Sequence, residues 1–237
     1  MPRRLRSALG LAAFALLPLL GACAAHVGTT AEPSGLPAGF VYVDELIPDA
    51  ILDVRYCSTD NFVGRRIDGY LAPRIILTRE AAEALAAVAA ELRAEGLLLK
   101  LFDGYRPQTA VNHFVRWAED LSDQEMKLRY YPEVDKRELF ARGYIAERSG
   151  HSRGSTIDLT LVDGNTGEEL DMGSGFDLFA EISHHGTDQI SAAQTRNRER
   201  LRDAMLRHGF VLYPYEWWHY TLAAEPFPAT FFDFPVQ

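Results

Sequence analysis

Two stretches of the chain hold side chains able to do metal-assisted chemistry. The first is Ser149-Gly150-His151-Ser152-Arg153-Gly154-Ser155-Thr156-Ile157-Asp158-Leu159-Thr160-Leu161, and the second is Tyr213-Pro214-Tyr215-Glu216-Trp217-Trp218-His219-Tyr220. His151 stands on a Gly/Ser-rich stretch that reads as a loop leading into a strand, and Asp158 falls inside that strand between Ile157 and Leu159. A carboxylate in an apolar strand must be paired, hydrogen-bonded or bound to a metal, because an isolated buried charge is very costly. His219 falls in a second strand behind two tryptophans. Two imidazoles and one carboxylate are the three protein ligands expected of a catalytic zinc, with the fourth position left to water. Glu216 lies three residues before His219. Positions i and i+3 of a regular strand face opposite ways. The two share a site only if Glu216 sits at the strand's entry or at a bulge, and Pro214 just ahead makes an irregular entry reasonable. Spacing alone leaves another reading open, in which His219 packs in the core among aromatics and Asp158 caps a turn.

These residues need elements to position them. Phe40 to Glu45 and Ile51 to Tyr56 read as short β-type runs split by Pro48. Thr78 is a good N-cap for an Ala/Leu/Glu helix over 79–95, in which Leu85, Val88, Ala89 and Leu92 give the apolar stripe and Gly96 the stop. Leu97 to Phe102 is a nearly continuous apolar run, hence a buried strand. Pro107 suits the first turn of a helix running to about Glu119. Charged helical stretches are expected over Asp123 to Tyr131 and Lys136 to Arg142, strands over Thr156 to Val162 and Trp217 to Leu222, and a helix over Ala192 to His208. Hairpin-length connections near the end favour an α+β fold, a single domain with a small central antiparallel sheet flanked by helices.

Composition bounds the function. The chain has 237 residues, 47% hydrophobic and 24% charged, an ordinary globular balance. Lys+Arg 24 against Asp+Glu 33 gives a formal net charge of -9, which argues against a nucleic-acid partner. Two cysteines exclude a disulfide framework. The first residues read as a leader outside the fold: Arg3, Arg4 and Arg6 form a basic n-region and Ala8 to Leu20 an apolar run too short to span a bilayer comfortably. Leu20-Gly21-Ala22-Cys23 resembles a bacterial lipobox, which implies a signal peptide over 1–22, lipidation of Cys23 and a membrane anchor. Residues 23–39 have linker composition, leaving a domain over 40–237. The expected location is the periplasmic side of a membrane. The outer membrane is preferred, because Ala24 is not an acidic retention signal. Cys57 is expected to be buried.

The string His151-Ser-Arg-Gly-Ser-x-Ile-Asp-Leu-Thr, followed by Glu216-Trp-Trp-His219, resembles the zinc D-alanyl-D-alanine dipeptidases. Leu52-Asp53-Val54-Arg55-Tyr56, Asp60-Asn61-Phe62, Asp68-Gly69-Tyr70, Asp103-Gly104-Tyr105-Arg106-Pro107 and Met172-Gly173 through Phe176-Asp177 support it in the family's order, over about Tyr42 to Phe232. The resemblance implies the fold of D-Ala-D-Ala metallopeptidases, shared with lysostaphin-type endopeptidases and the Hedgehog domain. It implies one Zn2+ held by His151, Asp158 and His219, with Glu216 as general base and Arg106 stabilising the transition state. It places Asp177 at the substrate's ammonium group, and Ser149 and Tyr56 in the substrate pocket. Gly150 and Cys57 depart from the pattern, where a larger and a small residue are expected, and neither removes a catalytic atom. The implied reaction is hydrolysis of D-alanyl-D-alanine. A D,D-carboxypeptidase or another stem-peptide peptidase of the same fold is the enzymatic alternative, and a zinc-stabilised wall-binding lipoprotein the non-enzymatic one. Among other candidates, adjacent His184 and His185 are a poor metal pair. His113 and His208 read as packed or exposed helix residues, and Arg196, Arg198, Arg200, Arg202 and Arg207 as a solvated helix face. Trp217 and Trp218 alternate across their strand, one expected in the core and one near the pocket.

Overall fold

The structure, a computed structural model, describes residues 1–2 and 35–237. Most of the expected leader, Cys23 and the linker as far as residue 34 lie outside the described residues. In chain order the elements are β1 (Phe40–Tyr42), α1 (Val43–Leu46), β2 (Ile51–Leu52), β3 (Ile76–Thr78), α2 (Arg79–Ala94), β4 (Leu97–Asp103), α3 (Gln108–Glu119), α4 (Lys127–Tyr130), β5 (Thr156–Asp163), α5 (Ala192–Arg207), β6 (Phe210–Tyr213) and β7 (Glu216–Leu222).

Five strands form the sheet that carries the site, in the order β2-β4-β5-β7-β6. The pairs β4–β5, β5–β7 and β6–β7 are antiparallel. At the edge, β2 joins β4 parallel through Ile51 and Leu52, which the expected antiparallel sheet did not include. A parallel neighbour needs a long crossover, and the chain between them contains α2. β1 and β3 pair separately as a two-stranded ribbon. The fold is α+β. Seven of the eight residues of β5 are buried, as a central strand covered on both faces requires.

α2 begins where Thr78 caps it, its hydroxyl accepting from the Ala81 amide, and buries Leu85, Val88, Ala89 and Leu92. Ser191 and Gln194 close a capping box at the start of α5. α2 and α5 pack against each other and against β4 and β6. No helix among the described residues is long and apolar enough to cross a membrane.

Several expectations fail locally for identifiable reasons. The charged stretches over 123–131 and 136–142 yield only α4 and one 3-10 turn at Lys136–Glu138. Lys136 is buried, its Nζ donating to the carbonyls of Asp120 (2.7 Å) and Asp123 (2.9 Å) and lying 4.0 Å from the Trp117 ring. The Lys136 ammonium thus takes carbonyls just past the end of α3, where the helix does not continue. The β-type runs at 40–45 and 51–56 shorten to β1 and β2, each followed by helical turns. Cys57 is half-buried rather than buried. Arg198 is buried, not solvated like its helix neighbours Arg196, Arg200 and Arg207.

Candidate metal centre and substrate pocket

Strand register builds the centre. Asp158 on β5 lies opposite His219 on β7 and opposite Asp103 on β4. A register shift between Leu101 and Asp103 lets Asp103 face Asp158. Three neighbouring strands therefore carry Asp103, Asp158 and His219 in one row. Glu216 is the first residue of β7 and pairs with Tyr213 after a second register shift. The irregular strand entry that a shared site would need is present, and Glu216 Oε2 comes within 3.4 Å of His219 Nδ1.

His151 reaches the row from a 3-10 turn at Gly150–Arg153, where its amide donates to Ser149 Oγ at 3.3 Å. Gly154 ends the turn at φ 84, and a side chain there would press into Phe40 at 2.3 Å. The His151 Nδ1 donates to the Gly104 carbonyl at 2.7 Å. A carbonyl can only accept, so Nδ1 carries a proton, and the neutral ring then presents the Nε2 lone pair to the centre. A Cβ at Gly104 would meet the Ile76 carbonyl at 2.6 Å, so the backbone can take this path only with glycine there.

The ligand-type atoms of His151, Asp158 and His219 all lie within 4.8 Å of one another. His151 Nε2 is 3.2 Å from Asp158 Oδ2, and His219 Nδ1 is 3.1 Å from Asp158 Oδ1. Asp158 Oδ1 is buried without a hydrogen-bond partner. A buried carboxylate whose two oxygens each lie beside an imidazole nitrogen, one of them without a hydrogen-bond partner, fits a divalent cation: an N2O donor set matches zinc chemistry. Among the described residues no other group of His, Cys, Asp or Glu converges in this way, His184 and His185 included.

Arg106 donates from Nε to Asp103 Oδ2 at 2.9 Å and holds Nη2 3.8 Å from Asp158 Oδ2. Its guanidinium lies 5.0 Å from the Tyr56 ring and 5.1 Å from that of Phe114. Asp103 is fully buried and accepts from the Tyr70 hydroxyl at 2.5 Å while its Oδ2 lies 3.5 Å from His151 Nδ1. Burial pushes the Glu216 carboxyl up to about 7, against the pull of His219 and Arg106. Burial also drives Asp177 well above the ordinary carboxylate range, with Asp158 and Glu216 adding to it. Asp177 is 5% exposed, accepts from the Tyr56 hydroxyl at 2.9 Å, and adopts φ 61. No helix begins at Leu178, so Asp177 is not a helix cap.

One cavity of about 330 Å³ is lined by Tyr56, Arg106, Ser149, His151, Asp158, Asp177, Glu216 and His219 together. Every site residue singled out within the described chain opens onto it. Neither tryptophan does: Trp217 and Trp218 are both buried, and the expectation of one near the pocket fails. Trp217 instead donates from Nε1 to Ser174 Oγ. Sequence reasoning gave no role to Asp103, Tyr144 or Tyr213. The last two line the cavity, with Tyr213's ring 5.3 Å from that of His219. Asp103 ends an apolar strand, and the rule that flagged Asp158 flags it equally.

The chain matches the family described as D-ala-D-ala dipeptidase over residues 37–237. It is 49% identical over 199 residues to the D-alanyl-D-alanine dipeptidase of Streptomyces coelicolor, covering 83% of this chain and 98% of that one. The enzyme of the same name from Enterococcus faecium is 46% identical over 199 residues, covering 84% and 98%. That of Escherichia coli is 36% identical over 177 residues, covering 75% and 81%.

Proposed function

The chain belongs to the D-Ala-D-Ala dipeptidase family, and from that premise we propose that it hydrolyses free D-alanyl-D-alanine with one zinc ion held by His151, Asp158 and His219. The observation that carries this reading is the convergence of the three ligand-type groups with Glu216 beside His219 in one pocket. Bound there, zinc supplies Lewis acidity that polarises a peptide carbonyl and acidifies water.

The chain's own groups do the rest. Glu216 takes the proton from the attacking water and delivers it to the leaving amine. A carboxyl raised towards neutrality is suited to both transfers. Arg106 presents a fixed positive charge where the carbonyl oxygen becomes negative. Its salt bridge to Asp103 sets that orientation before substrate arrives. Asp177, with Tyr56 bonded to it, receives the substrate's ammonium group, and Ser149 lines the same pocket. An acid that meets the free amine favours a dipeptide over a chain extended beyond that point.

The reading is tested by comparing D-Ala-D-Ala with a pentapeptide stem ending in the same pair. Faster cleavage of the dipeptide is expected, and faster cleavage of the pentapeptide would move the assignment to a D,D-carboxypeptidase. We also propose export to the periplasmic side with a lipid anchor at Cys23, supported by the basic n-region, the apolar run and Leu20-Gly21-Ala22-Cys23. Labelled fatty acid should enter the wild-type protein and not the Cys23→Ala variant. Equal labelling of the two would remove the anchor.

A further inference from the structure

Arg198 lies on the face of α5 turned towards the sheet and is 4% exposed. Its guanidinium makes four hydrogen bonds, all to uncharged acceptors. Nε donates to the Met172 carbonyl (2.6 Å) and Nη1 to the His184 carbonyl (3.1 Å). Nη2 donates to the Ile182 carbonyl (2.9 Å) and to Ser174 Oγ (3.2 Å). Ser174 Oγ also accepts from Trp217 Nε1 at 2.9 Å, and the guanidinium lies 5.6 Å from the Trp217 ring. Met172 and Ser174 precede Asp177, whereas Ile182 and His184 follow it. One side chain thus ties together both ends of the irregular excursion that carries Asp177 into the pocket.

Other contacts from α5 close the base of the same excursion. Asn197 donates to the Asp171 carbonyl and Gln194 to the Asp171 carboxylate, both at 2.9 Å. Next to Asp177, Phe176 stacks on Phe102 with centroids 4.5 Å apart. Asp177 is the only described non-glycine residue with positive φ, a backbone state that persists only when its surroundings over-determine it. The planar fork of an arginine can meet acceptors spread over both ends of a loop. Lysine, a point charge with three donors, cannot reproduce four such bonds.

We propose that Arg198 is a positioning residue for substrate binding: by drawing the two ends of the 172–184 segment together, it fixes Asp177 where the substrate's ammonium group binds. The inference rests on the reading of Asp177 given above. It concerns a residue that touches neither metal ligands nor substrate, and it predicts an effect confined to amine recognition.

The test uses zinc-loaded full-length protein and three variants: Arg198→Lys, the milder Ser174→Ala, and Asp177→Asn as the control on the premise. KM and kcat for D-Ala-D-Ala are measured together with the inhibition constant of N-acetyl-D-Ala-D-Ala, which lacks the ammonium. Arg198→Lys should raise KM about tenfold, the scale of one lost buried hydrogen bond or more, with kcat and the inhibition constant nearly unchanged and zinc retained. Ser174→Ala should shift KM in the same sense by a smaller factor, and it decides the matter alone if Arg198→Lys does not fold. An equal rise in KM and in the inhibition constant marks general damage to the pocket and overturns the proposal. So does an unchanged KM in folded variants. If Asp177→Asn itself leaves KM unchanged, the assignment of Asp177 fails. If it raises KM while Arg198→Lys and Ser174→Ala do not, only the role of Arg198 fails.

Discussion

At the metal end of the pocket, Asp103, Asp158 and His219 sit on three adjacent strands in ladder register, with His151 brought in by a turn locked to the Gly104 carbonyl. At the end proposed to bind the amine, Asp177 hangs on irregular chain between β5 and α5, in a left-handed conformation, and a buried arginine on the helix that follows bonds both ends of that segment. The difference teaches how the two tasks are divided. Coordination geometry tolerates little displacement, and a hydrogen-bonded sheet holds it. On the proposed reading, substrate selection rests on a segment whose position is set by side chains, so it can be altered without disturbing the metal. Substitutions at the two ends should separate accordingly: the first should change turnover or metal affinity, the second only the affinity for substrate.

The largest effect is expected at Glu216. Exchange for Ala should lower kcat by about 10²–10⁴-fold while the metal content stays at one per chain. Steady-state kinetics with metal analysis checks it, and unchanged turnover would remove Glu216 from the base role. Asp103 comes next. Asp103→Asn weakens the anchor of both Arg106 and His151, and loss of such support typically costs about 10–100-fold in metal affinity or activity. Metal titration against a competing chelator measures the first and kcat the second. A variant that behaves as wild type in both would show that the Asp103 carboxylate supports neither Arg106 nor His151.

The smallest effect concerns stability. His185 is held below its ordinary value, at about 4, by burial and then by the charges of Arg198 and Arg202. In the unfolded chain an unperturbed histidine titrates near 6.5. Between those values the unfolded state binds more protons, so stability present above about 6.5 is lost as pH falls towards 4. His185→Gln should therefore show a smaller fall in Tm between pH 7 and pH 5 than wild type. The difference between the two proteins is the readout, since acid weakens metal binding in both. Equal falls would place His185 outside the acid response.

How much of this was legible in the sequence divides along the same line. The α2 stripe, the apolar β4 run and the strands around Asp158 and His219 follow from periodicity, which sheet and helix burial enforce directly. The irregular entry of Glu216 followed from side-chain alternation only on the condition that Glu216 and His219 share a site. Arg198 was misread because five arginines along one helix look like a solvated face, and nothing local shows that a distant loop packs over one of them. The start of the stretch over 123–131 was misread because helix propensity does not register Lys136, whose ammonium takes the Asp120 and Asp123 carbonyls. Trp217 is buried with its indole N–H bonded to Ser174, an acceptor far along the chain. Each miss is a contact between segments remote in sequence.

Zinc-edge X-ray absorption of the purified metal-loaded protein probes the centre most directly. Two imidazole nitrogens and oxygen donors at about 2.0–2.2 Å are expected, with one imidazole lost in His151→Ala and in His219→Ala. Sulfur in the shell, or a spectrum unchanged by both substitutions, would mean that these side chains do not hold the ion.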